Sequence, residues 1–116
     1  MQRQVFLYET ESGKSPVQQF IKSLKPKEQQ KIAWGLKLIQ DGFPFTEPYF
    51  KKITNVDDLW ELRVTFGGNA FRLFYFEWLD KIIVVTNGIS KKDSKDQNSG
   101  IELAKKFMNE YKGRIS

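Results

Sequence analysis

The chain contains no cysteine and no histidine. Without cysteine there is no disulfide framework, no thiolate nucleophile and no thiolate metal ligand. Without histidine the commonest zinc ligand is missing, as is the side chain that titrates near neutrality. Carboxylates alone can hold magnesium, but Asp and Glu form no tight cluster along the sequence, so neither a metal nor another cofactor is expected. The longest apolar run, Ile82-Ile83-Val84-Val85, is far too short to span a bilayer, and the N-terminus lacks a signal-peptide pattern. The expected setting is soluble, reducing and cytoplasmic, with no membrane partner.

What is present suits one folded domain spanning residues 1–116. Apolar residues make up 40% of the chain, with ten Phe, three Trp and four Tyr, which is enough for a real core. The formal net charge of +5 is modest, so its distribution matters more than its total.

Val5-Phe6-Leu7-Tyr8 reads as a short first strand. Ser15-Pro16 is a helix start, with serine as N-cap and proline at the first helical position, where its missing N–H is harmless. Val17, Phe20, Ile21 and Leu24 then mark one helical face, and Pro26 opens a second, longer helix whose buried side is Ile32, Leu36 and Ile39. Gly42 is a natural stop for it. The segment 43–50, with two prolines, is expected to cross the surface as a loop pinned by its aromatics. Three strands follow: Leu59 to Phe66, Ala70 to Trp78 and Lys81 to Asn87. A polar, turn-rich stretch from Ser90 to Gly100 then leads into a last helix lined by Ile101, Ala104, Phe107, Met108 and Tyr111. The order is βααβββα, an α+β domain with two N-terminal helices and one C-terminal helix on a small, mostly antiparallel sheet.

Chemistry concentrates on the hairpin. Gly67-Gly68 suits a two-residue turn with positive φ, so facing residues are predicted to pair Trp60, Leu62 and Val64 with Tyr75, Leu73 and Phe71 on one face. Glu61 and Arg63 then lie opposite Phe74 and Arg72 on the other. A slip of one residue would flip every side chain, so the agreement of both strands fixes the register. Directly facing arginines repel, and Glu61, diagonal to Arg72, offsets part of that. The pair reads either as an ordinary solvated sheet face or as a phosphate site, for which the planar fork of arginine is suited. Lys91-Lys92 leaves the end of the strand expected beside the one carrying Arg72.

Taken together, Leu59-Trp60-Glu61-Leu62-Arg63, Phe71-Arg72-Leu73-Phe74-Tyr75 and Lys91-Lys92, with Glu102-Leu103-Ala104-Lys105-Lys106 and Glu110-Tyr111, give the chain its resemblance to toxins of the RelE/HigB type from type II toxin–antitoxin systems. The resemblance is to the HigB-like, phage-associated branch of the RelE/ParE superfamily and covers nearly the whole chain. The chain departs from the family pattern at Asn87 and Ile89-Ser90, where histidine and an aromatic are often found. The resemblance implies ribosome-dependent endonucleolytic cleavage of messenger RNA, an mRNA interferase that inhibits translation, and inhibition by a cognate antitoxin. By position it implies that Arg63 and Arg72 bind phosphate and stabilise the transition state, and that Lys91 or Lys92 supplies a cation or proton donor. Lys95 is counted with them as an RNA contact.

Metal-independent cleavage by attack of the ribose 2′-hydroxyl needs a base, cations for the phosphorane and an acid for the leaving oxygen. With no histidine, Glu61 is the expected base. Phe74 and Phe76 share the predicted face and are candidates to stack on a splayed base, with core packing as the alternative. No side chain has an ordinary pKa near 7, so the ribosome is expected to orient the messenger, positioning alone contributing roughly 7–11 kcal/mol. Exposed aromatics in 43–50 beside the basic face also point to a covering partner, the antitoxin. Two other readings stay open on the sequence: a ParE-like toxin acting on DNA gyrase, and a non-catalytic module that only docks RNA or an acidic protein.

Overall fold

The computed structural model describes residues 2–115. Eight elements follow in order: β1 (Gln4–Leu7), α1 (Pro16–Lys22), α2 (Pro26–Gln40), β2 (Phe50–Lys52), β3 (Leu59–Phe66), β4 (Asn69–Trp78), β5 (Ile82–Lys91) and α3 (Ser94–Ile115). The strands form one sheet in the order β1-β5-β4-β3-β2, antiparallel except where β1 runs parallel to β5. This is the expected α+β architecture with one strand more than the sequence pattern gave. β2 was hidden because it is only three residues long and its Lys51 and Lys52 break any apolar alternation. No helix among the described residues is long and apolar enough to cross a membrane.

Local signals place the helices. The Ser15 hydroxyl accepts from the Gln18 N–H at 3.3 Å, with Pro16 opening α1. At the start of α2 the Glu28 carboxylate accepts from the Lys25 N–H at 2.9 Å, and Gly42, at φ +85°, follows its end. Two covered sheet faces result. α1 and α2 lie over one, where Ile32, Ile39, Leu62, Val64, Phe71, Leu73, Tyr75 and Val85 are buried. α3 lies over the other, where Leu59, Phe74, Phe76 and Val84 meet Ala104, Phe107 and Met108. β5 is covered on both sides, as its unbroken apolar run requires.

The hairpin register is the predicted one: Leu59 pairs with Phe76, Leu62 with Leu73, Arg63 with Arg72 and Phe66 with Asn69. Gly67 and Gly68 turn at φ +58° and +82°. Burial of Leu62, Val64, Phe71 and Leu73 at roughly 1.5–3 kcal/mol each outweighs the repulsion of facing arginines, which is about 1 kcal/mol.

Two boundaries shift, and both matter for the site. β5 continues past Asn87 to Lys91 through an irregularity: Phe74 pairs with Asn87 but Tyr75 with Val85, leaving Thr86 as an extra residue. That bulge interrupts the period-2 pattern and hid the second half of the strand. α3 begins at Ser94 rather than after Gly100, because the Asp93 carboxylate accepts from the Asp96 N–H at 3.0 Å and caps the polar first turns. Gly100 is therefore a packing residue inside the helix. A Cβ there would stand 2.7 Å from the Phe74 ring and 3.0 Å from Ile89. The Asn87 amide donates to the Gly100 carbonyl at 3.2 Å, tying the helix down over the sheet.

Candidate functional site

Side chains on the α3 side of the sheet form three rows across the strands. Pairing sets Lys51 beside Glu61, Phe74 and Asn87, then Arg63 beside Arg72 and Ile89, then Thr65 beside Ala70 and Lys91. The Glu61 carboxylate lies between the two arginines, Oε1 at 3.8 Å from Arg63 Nε and Oε2 at 3.7 Å from Arg72 Nε. It accepts a hydrogen bond from the Gln97 amide of α3 at 2.7 Å. Glu61 is only 3% exposed and Arg72 only 7%. The predicted open basic face is thus largely roofed by α3, whose early start brings Gln97 over it.

Arg72 is poorly satisfied for a buried cation. Its Nη1 donates to the Phe71 carbonyl at a long 3.4 Å, and its Nε has no hydrogen-bond partner among the described residues. Burial lowers its pKa, the Glu61 charge pushes it back up, and the neighbouring Arg63 lowers it. Like any arginine it remains a cation at physiological pH. A buried guanidinium whose donors are not all used has capacity left for an anionic partner.

Arg63 and Arg72 share a concavity of about 430 Å³ with Lys31, Glu47, Tyr49 and Thr65. The Arg63 N–H donates to the Tyr49 carbonyl at 2.6 Å, which ties the 43–49 loop to β3 beside this groove. Glu47 stands in it with its side chain 74% exposed, Oε1 at 3.7 Å from Arg63 Nη1. Glu61 lines a separate, smaller hollow with Lys51, Lys52 and Gln97. A larger concavity, about 700 Å³, lies elsewhere, between Thr10–Ser12 and the end of α3. There Glu110 and Arg114 are already bonded to the Tyr8 hydroxyl at 2.6 and 2.9 Å, so it offers less unmet charge.

The candidates named from sequence divide accordingly. Arg63, Arg72 and Glu61 come together as expected. Lys91 is on their face, beside Ala70 and half-buried. Lys92 and Lys95 are exposed at the β5–α3 junction, where the Lys92 N–H donates to Asp96 at 3.1 Å.

Phe74 is a correction. It is fully buried under Gly100 and offers no face to a base; Phe76 is likewise buried, its ring 5.5 Å from Tyr111. The 43–50 aromatics are also less exposed than expected. Phe50 is buried and Phe45 packs 5.1 Å from Tyr75 and 5.5 Å from Trp60, which leaves Phe43 as the exposed ring of the segment. The aromatic surface offered as a sign of a covering partner is therefore mostly turned inward. Gln97, Glu47 and Lys51 were missed. Lys51 lies within the short β2 and Glu47 just before it, where there is no periodic signal, and Gln97 sits in a stretch read as loop.

Residues 19–109 match the family described as phage derived protein Gp49-like (DUF891), a span holding every candidate named above. No curated protein matches the chain. The family is a toxin–antitoxin-associated one. With most of its length covered by that match, the chain belongs to the phage-derived Gp49-like family, within the RelE/ParE-like toxin superfamily.

Proposed function

We propose that the protein is a HigB-like toxin of a type II toxin–antitoxin system that cleaves messenger RNA on cytoplasmic ribosomes and so stops translation. The single observation that carries this reading is Arg72, a buried cation with an unpartnered Nε, set beside Arg63 in one groove. Those two arginines bind the scissile phosphate and neutralise the phosphorane that forms on it. The 2′-oxygen forms a bond to phosphorus as the bond to the 5′-oxygen breaks, giving a 2′,3′-cyclic phosphate and a 5′-hydroxyl. Lys91 or Lys92 delivers the proton to the leaving oxygen.

Glu61 is better suited to positioning the arginines than to taking the 2′-hydroxyl proton, because it is buried and engaged by Gln97. Glu47, exposed at the groove's surface and 3.7 Å from Arg63, is the carboxylate that acts as base in this reading. A small acidic antitoxin is the proposed partner, and co-expressing it with the toxin is expected to restore growth.

Adding the purified protein to a translation reaction with a defined message tests the activity. Cuts confined to the translated frame, with naked message left intact, are expected. Equal cutting of naked RNA would refute the ribosome requirement, and absence of cuts would refute the nuclease.

A further inference from the structure

With Phe74 and Phe76 in the core, the groove draws its aromatic surface from another element. Tyr49 lines it beside Arg63 and Arg72. Trp34, on the side of α2 turned away from its buried stripe of Ile32, Gly35 and Ile39, is 38% exposed and stands edge-on to Tyr49, ring centroids 5.0 Å apart at 81°. Lys31 lines the same groove and rests its Nζ over the Trp34 ring at 4.0 Å. Two aromatic rings, a lysine on a flexible stem and a buried guanidinium whose Nε has no hydrogen-bond partner are thus contiguous. Three cations and one carboxylate line the groove, and Glu61 beside the arginines offsets one charge more, which leaves a net positive site suited to an anion.

We propose that the Trp34–Tyr49 edge is a nucleobase subsite. It stacks a base of single-stranded RNA next to the phosphate held by Arg63 and Arg72, while Lys31 leaves the Trp34 ring to pair with a neighbouring phosphate. The inference rests on reading the arginines as the phosphate site. Stacking tolerates any base, because every base presents a π face, so this edge contributes affinity and placement and leaves sequence choice to other contacts.

The test is fluorescence anisotropy at low salt with a short single-stranded RNA and with the same sugar–phosphate chain made abasic at its interior positions. Wild-type protein is expected to bind the base-bearing chain about tenfold more tightly. Tyr49→Leu and Trp34→Leu should each shrink that preference while leaving affinity for the abasic chain unchanged. Arg72→Gln should weaken both chains by the same factor. Thermal melting establishes that each variant is folded, and Trp34, being exposed, keeps the test valid if Tyr49→Leu unfolds. Wild-type binding that ignores the bases, or a full preference in both aromatic variants, would overturn the subsite. Arg72→Gln binding both chains as wild type does would instead overturn the phosphate reading and leave the stacking edge standing.

Discussion

Arg63 and Arg72 face each other directly across the β3–β4 hairpin, one half-exposed and one buried, with the Glu61 carboxylate reaching both. The like-charge pair is tolerated because Glu61 neutralises one charge and the apolar face beneath fixes the register. Glu61→Gln keeps the shape and removes the charge. It should lower stability by about 3 kcal/mol, the low end for breaking a buried ion pair, since both contacts exceed hydrogen-bond length. Denaturant unfolding measures this, with a polyanion expected to restore more stability to the variant than it adds to wild type. Unchanged stability would show that Glu61 does not hold the pair together.

Phe74 belongs to the core under α3. Phe74→Leu is expected to lower stability by about 1–2 kcal/mol and to leave RNA binding per folded molecule unchanged. Equilibrium unfolding beside the anisotropy titration separates the two effects. Lost binding in a folded variant would return Phe74 to the RNA-contacting set.

Much of this was legible before the structure. The Gly67-Gly68 turn and the agreement of apolar positions on both strands determined a register in which Arg63 meets Arg72. Ser15-Pro16 and Pro26 marked the helix starts by their capping chemistry. What escaped notice lay where local patterns are broken. The Thr86 bulge concealed the second half of β5, two lysines concealed β2, and a polar first turn concealed the start of α3. Those three omissions made the charged face look open, since it is α3 that brings Gln97 and Gly100 over Glu61 and Phe74. Parity says which side of a sheet a residue takes, but not whether a helix covers that side.

Tyr75 is fully buried with a hydroxyl that has no partner among the described residues. Burial raises its pKa far above the ordinary 10.0, the Arg3 charge opposing and the Glu77 charge adding to the rise. Tyr8 is raised too, by burial and by Glu110, against the lowering effect of Arg114. The folded state therefore keeps protons that the unfolded chain loses above about pH 10, so stability falls as pH rises through that range. Tyr75→Phe should remove much of this alkaline slope and, by deleting an unsatisfied group, raise stability at neutral pH by about 1 kcal/mol. Thermal melts from neutral to alkaline pH check both, and a destabilised Tyr75→Phe would mean that the hydroxyl has a partner after all.

The most direct test is controlled expression of wild-type protein and Arg72→Gln in bacteria, following growth and mapping messenger 5′ ends. Growth arrest with codon-phased cuts in translated messages, both lost in a variant that still folds, is the predicted result. Undiminished cutting by folded Arg72→Gln, or arrest by wild-type protein without cuts, would contradict the assignment of this groove as a ribonuclease site.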